Sequence, residues 1–309
     1  MKRFSFLIVL VLVVTQFTYA QGKKEELWEI VLVKNENGQF YQYAPKKVKK
    51  PYRFLVIIHG MVGEKSTAKD AARNDIRSTR NISNPGKILK SYAKENGVIL
   101  IVPIFDKYNY GSYEGPIGGY RGLAGRKIDA DVFLNQIIDS YKKTLKGYKG
   151  KFSIIGHSAG GQFVGRYIAK YPERIIAASI IAPGTYLSFD EKVDYPYGLK
   201  KCCWLLDWKG MAKEDQKIMQ YTPDKEKLKE MFKLRIRVIV GSKDTYKYSP
   251  YVGQVGLTRI DRGRGWVISA KEYAKSIGVN DNIKFIFLKG EGHRTPKLFA
   301  SATKGMFRK

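Results

Sequence analysis

Cysteine is nearly missing from this chain: Cys202 and Cys203 are its only two, and they are neighbours. That excludes a disulfide framework and any cysteine-built zinc site. Adjacent Cα atoms sit about 3.8 Å apart, below the usual disulfide range, so the pair is read as packed free thiols, with a strained vicinal disulfide as the alternative. Histidine is equally scarce, with three in 309 residues. None lies near the cysteines, which argues against a metal centre, and no cofactor is expected. Acidic residues number 28 against 56 Lys and Arg, a formal charge of +28. Internal repeats and low-complexity stretches are absent, and after the first residues no apolar run is long enough to span a bilayer.

The one such run opens the chain. Lys2 and Arg3 precede Phe4–Val14, and Thr18-Tyr19-Ala20 stands before Gln21. This is the pattern of a signal peptide cut after Ala20, since Thr15, Gln16 and Thr18 interrupt the run well short of the roughly 20 residues a membrane helix needs. Residues 1–20 are therefore predicted to be a leader and 21–309 a secreted or periplasmic protein that does not span the membrane.

With 44% hydrophobic and 13% aromatic residues the full chain has a globular composition. Its positive charge has two readings. One is attraction to an anionic polymer or cell surface, which would be weakened by salt. The other is a lysine-rich solvated surface without a partner. The lysines are scattered and no nucleic-acid motif gathers them, so no specific nucleic-acid partner is expected.

From Phe54 onward apolar runs alternate with amphipathic stretches, the signature of an α/β fold with a mostly parallel sheet covered on both faces. Strands are predicted at Phe54–Ile58, Val98–Val102, Phe152–Ile155, Ile175–Ile181, Ile236–Val240 and Ile283–Leu288. Helices are predicted at Lys87–Asn96, Lys127–Lys146, Ala159–Tyr171, Ser269–Ile277 and near Pro296–Phe307. Leu27–Val33 and Phe40–Tyr43 read as a hairpin around Asn35-Glu36-Asn37-Gly38. Two stretches break the alternation. Phe105–Gly125 is rich in Tyr and Gly, and residues 185–232 form an insertion read as a lid. Tyr108, Tyr110, Tyr113 and Tyr120 from the first, with Trp204 and Trp208 from the second, are the candidates for an aromatic substrate platform; ordinary loop packing is the competing reading.

Gly156-His157-Ser158-Ala159-Gly160 follows an apolar strand and precedes a helix, as a nucleophile elbow requires. A serine needs a base to be nucleophilic, and three histidines permit elimination. His157 adjoins Ser158 and cannot fold back on it in line; His59 ends the first core strand, ahead of the serine. His293 follows the last strand and completes the chain order serine, acid, histidine. Asp244, just after the strand Ile236–Val240, is the acid, with Asp261, Asp207 and Asp224 in reserve. Glu291 lies too close in sequence to His293. The oxyanion is expected to take backbone N–H groups from Ala159 and from Met61, in the loop His59-Gly60-Met61.

These motifs, with Gly241-Ser242-Lys243-Asp244 and Gly292-His293, resemble the α/β-hydrolase superfamily over about Phe54–Phe307. The leader, Ile128-Asp129-Ala130-Asp131-Val132-Phe133 before the elbow strand, and the wide spacing from Asp244 to His293 are most similar to the exported polyhydroxybutyrate-depolymerase and feruloyl-esterase-like branch. The resemblance implies a serine hydrolase that cleaves carboxylic esters through an acyl-enzyme, often on polymer- or polysaccharide-linked substrates. An exported serine peptidase, or a non-catalytic polyanion-binding protein on the same fold, stays open at this point.

Overall fold

A computed structural model of the chain describes residues 30–61, 67–76, 86–110, 119–206, 217–221 and 223–307. The predicted leader, Tyr113, Asp207 and Trp208 lie outside them. Eight strands form one sheet in the order β1-β2-β4-β3-β5-β6-β9-β10. The first two, β1 (Ile30–Asn35) and β2 (Gly38–Tyr43), make the expected hairpin and join antiparallel to β4. The rest run parallel: β3 (Phe54–Ile58), β4 (Ile99–Pro103), β5 (Phe152–His157), β6 (Ile175–Ile181), β9 (Arg235–Gly241) and β10 (Ile283–Leu288). All six predicted core strands are present, their ends within two residues of expectation.

Both faces of the central strands β3 and β4 are buried, so these strands are apolar at successive positions. In β3, Phe54, Val56 and Ile58 belong to one core cluster and Leu55 and Ile57 to the other. Helices α1 (Ala68–Ile76), α2 (Gly86–Asn96), α3 (Ala130–Thr144), α4 (Ala159–Lys170), α5 (Lys225–Lys233), α6 (Arg259–Ser276) and α7 (Pro296–Thr303) surround the sheet, with a single helical turn at Lys107–Tyr110.

Helix α6 begins ten residues before the predicted Ser269. Gly263 and Gly265 interrupt its apolar stripe, and the start is instead set by a capping box in which Thr258 and Asp261 satisfy each other's backbone N–H groups. Within 185–232, a two-stranded ribbon of β7 (Cys202–Leu206) and β8 (Lys217–Tyr221) stands outside the main sheet. The segment is anchored by buried Tyr186, Leu187, Phe189, Tyr195, Tyr197 and Leu199. Trp204 and both cysteines lie on β7.

The chain steps from β3 to β4 on one side, then crosses back to put β5 on the other. Such a reversal leaves a crevice beyond the carboxyl ends of the two central strands, where open α/β sheets bind ligands. Register brings the strand ends level: Ile58 pairs with Gly156, His157 with Ile181, Ile181 with Ile239, and Leu288 with Gly241. The loops carrying residues 59–61, 158, 244 and 293 therefore leave the sheet along one edge.

Candidate active site

Ser158 sits between β5 and α4 at φ 55° and ψ −115°, a conformation disfavoured for any residue with a Cβ. The two elbow glycines show why the turn can close. A Cβ on Gly156 would lie 2.1 Å from the Gly160 carbonyl oxygen, and one on Gly160 would lie 2.1 Å from that of Ile58 on β3. The Ser158 N–H is held by the Ile181 carbonyl at 2.8 Å, which ties the strained residue to the neighbouring strand. Such strain persists only where surrounding structure imposes it, and it gathers at functional sites.

His293 Nδ1 lies 2.7 Å from Asp244 Oδ2 across forty-nine residues of chain. Asp244 is buried, which by itself raises a carboxyl's pKa. The hydrogen bond and charge of His293 and the guanidinium of Arg259 outweigh this, so the group is held below the usual carboxylate range. The ionised carboxylate accepts the Nδ1–H, leaving Nε2 as the basic nitrogen.

The other aspartates have other work. Asp261 belongs to the capping box, and Asp224 caps α5 by accepting the N–H groups of Glu226 and Lys227. Glu291 pairs with Lys297 at 2.9 Å. Asp131, from the motif that carried part of the family resemblance, is fully buried and pins α3 to α4 through Lys170 Nζ (2.5 Å) and Tyr171 Oη (3.0 Å).

The two histidines set aside as bases both brace backbone near Ser158. His59 is fully buried; its Nε2 accepts the Phe105 N–H at 3.1 Å, so Nδ1 carries the proton and donates to the Gly60 carbonyl at 2.7 Å. Burial lowers its pKa to about 4, so it is neutral at pH 7. It thereby fixes the loop of Gly60 and Met61, where a Cβ on Gly60 would come within 3.7 Å of Ser158 Cβ. Met61 follows at the surface, 44% exposed, while Ala159 is buried at the start of α4.

His157 is also buried, and its Nε2 donates to the carbonyl oxygen of His293 itself at 2.8 Å. Burial, then the charges of His293 and Arg294, push its pKa well below the ordinary histidine value. A neutral imidazole next to Ser158 thus holds the loop of His293. Sequence reading missed this role, because it asked only whether His157 could act on Ser158.

The aromatic platform divides. Tyr110 and Tyr120 are fully buried around Phe105, with ring centroids at 5.0 and 5.1 Å from it, and belong to the core. For these two the competing reading of ordinary packing describes the structure: their rings pack on Phe105 and their hydroxyls donate to the carbonyls of Asn37 and His59. Tyr108 is 61% exposed, with Arg126 stacked on its ring at 4.4 Å. Tyr110→Ala and Tyr120→Ala are expected to destabilise the fold by about 3 kcal/mol or more each, by cavity formation, and Tyr108→Ala by no more than about 0.5 kcal/mol. Denaturant unfolding of the three variants checks this; equal losses at all three positions would overturn the division.

Sequence reading also overlooked Arg259, whose Nη1 lies 2.7 Å from Asp244 Oδ1, and Arg262, which donates to the carbonyls of Gly184, Ser249 and Gly256. No motif marks an arginine whose partner is fifteen residues away. Among the described residues no group of three or more His, Cys, Asp or Glu could hold a metal ion, and no helix is long and apolar enough to cross a membrane.

No family model matches the sequence, and no curated protein matches it. Solved structures do match. Poly(aspartic acid) hydrolase-1 from Sphingomonas sp. KT-1 superposes with a TM-score of 0.65 at 22% identity, over 90% of this chain and 97% of that one. A poly(3-hydroxybutyrate) depolymerase from Bordetella parapertussis gives 0.63 at 15% identity, over 92% and 86%. The chain has the α/β-hydrolase fold.

Proposed function

We propose that this protein is an exported serine hydrolase that cleaves carboxylic esters through an acyl-enzyme. The observation that carries the reading is the backbone of Ser158, held at φ 55° on the tip of the elbow, together with a histidine that is paired with a buried aspartate and whose carbonyl is held by His157, the residue before the serine. Ser158 Oγ attacks the carbonyl carbon and passes its proton to His293 Nε2. The imidazolium then protonates the departing alcohol, and a water activated by the same nitrogen releases the acid. Asp244 holds the ring in the tautomer this needs. The N–H groups of Ala159 and Met61 take the developing oxyanion, the first at a helix N-terminus where negative charge is favoured. Export rests on the leader pattern of residues 1–20, and residues 185–232, with the ribbon β7–β8, are the proposed lid.

A panel of short- and long-chain acyl esters, feruloyl sugars, polyhydroxybutyrate and peptides, run beside a serine-directed phosphonate, tests the reading. Turnover of an ester and phosphonate label on Ser158 support it; a folded protein that neither reacts nor turns over any ester would leave the non-catalytic reading.

A second reading, cleavage within an anionic polymer, is favoured by the formal charge of +28 over the full chain, of which the leader carries only Lys2 and Arg3, and by the likeness to a poly(aspartic acid) hydrolase. Here the charge concentrates the enzyme on its substrate without entering the chemistry. The Debye length shrinks from about 10 Å at 0.1 M salt to about 3 Å at 1 M. Retention on an anionic matrix is therefore expected to fall steeply over that range, while turnover of a small neutral ester stays level. Salt-insensitive retention would leave the charge as a solvated surface without a partner.

A further inference from the structure

The loop that delivers the acid is closed at its neck. Tyr248 donates its N–H to the Leu257 carbonyl at 2.8 Å, and Lys247 bridges antiparallel to Thr258. This brings the end of the loop back to its beginning and sets the first residue of α6, Arg259, against Asp244. One turn further along, buried Arg262 grips the carbonyls of Ser249 and Gly256 on the loop and of Gly184 on the segment after β6. The ring of Tyr248 lies against both guanidinium groups, at 4.9 Å from Arg259 and 4.6 Å from Arg262. A second clamp comes from Gln254, whose side-chain amide exchanges two hydrogen bonds with the backbone of Tyr186 at 2.8 and 2.9 Å.

The two oxygens of Asp244 are thus shared between a permanent cation and an imidazole. Oδ2 meets His293 and Oδ1 meets Arg259, each at 2.7 Å, with only 2% of the aspartate side chain and 13% of the arginine side chain exposed. Arg259 accepts a cost for this position, since its Nε is sealed from solvent without an acceptor. Buried donors are rarely left unmet unless another contact of the same group demands the placement.

We propose that Arg259 is a positioning residue of the triad, acting on the reaction only through Asp244. The inference rests on the Ser158–His293–Asp244 reading above. A carboxylate held by one oxygen can turn about its Cβ–Cγ bond and carry the imidazole with it. Held by both oxygens in a dry site, it has one orientation, and the guanidinium stabilises the ionised form that must accept from Nδ1. In this role Arg259 has no direct grip on substrate: its Nη1 is on Asp244, its Nε is sealed from solvent, and little of its side chain is exposed. Its effect belongs to turnover and not to binding.

Kinetics of the full chain on an ester from the panel test this. Arg259→Met is expected to lower kcat by roughly 10- to 100-fold with KM changed less than about twofold, the range seen when one member of a coupled network is removed. Arg259→Lys, which keeps the charge without the planar fork, should recover part of the loss. In an Asp244→Asn background the same Arg259→Met change should cost less than about twofold, since the arginine then has no carboxylate to orient. Undiminished kcat in Arg259→Met, a loss confined to KM, or independent multiplication of the two losses would each overturn the proposal. Should Arg259→Met fail to fold, Arg259→Lys decides alone: kcat a few-fold down at constant KM supports it, and wild-type kcat overturns it. Failure of the triad itself is read separately, as full activity in Ser158→Ala.

Discussion

Replacing Ser158 or His293 by alanine is expected to lower ester turnover by about 10⁶-fold, with each single change costing about as much as both together. The two side chains act on one proton in one step, so the loss of either removes the same term from the barrier. What survives is the contribution of the oxyanion donors and of binding, about 10³- to 10⁴-fold over water. The fold should persist in both variants. His293 is partly exposed, and the hydrogen bond His157 gives it is made to the carbonyl oxygen, which alanine retains. Measuring kcat for both single variants and the double, with unfolding curves alongside, checks this. Wild-type-like turnover by either, or a double variant far worse than the singles, would remove the mechanism.

Asp244→Asn should cost about 10⁴-fold, by analogy with the serine-protease triad. Asparagine fills the same space but presents an amide that need not accept from Nδ1, so the ring can settle in the tautomer that leaves no lone pair for the serine. The neutral side chain also no longer stabilises the imidazolium formed during attack. Substitution of Asp261, by contrast, removes one half of the capping box of α6, and should appear as about 1 kcal/mol of lost stability with turnover nearly intact. A loss below about tenfold at Asp244 together with a large loss at Asp261 would move the acid and reverse this assignment.

The contrast between these two aspartates shows where sequence reasoning could reach. Asp244 follows a strand with the right place in chain order, and that order is a property of the sequence. Asp261, a reserve acid in the sequence, is instead the capping partner of Thr258, three residues earlier. The predicted start of α6 is Ser269, and Gly263 and Gly265 lie before it. One of those glycines, Gly263, is there because α6 packs against the sheet, where a Cβ would come within 3.2 Å of Val240 and Phe285. A glycine chosen for close approach looks, in sequence, like a glycine chosen for a turn.

Composition was a weaker guide than pattern in the stretch after β4. Its tyrosines and glycines suggested a surface loop for substrate, yet Tyr110 and Tyr120 are core residues while Tyr108 is exposed. Tyrosine suits either place, since its ring is apolar and its hydroxyl needs only one carbonyl to satisfy it.

By itself the sequence determined the sheet, through apolar runs that are continuous because both faces are covered. It determined the elbow, through two glycines without which the turn cannot close, and the order serine, aspartate, histidine. Tertiary structure alone decided which side chains meet across long spans of chain. It placed the His157 ring on the carbonyl of His293, locked His59 between Gly60 and Phe105, and brought Arg259 round to the second oxygen of Asp244. The physical reason is that periodicity and motifs are carried by neighbours along the chain, whereas these contacts arise from strand register and loop closure. They leave no local mark on the residues that make them.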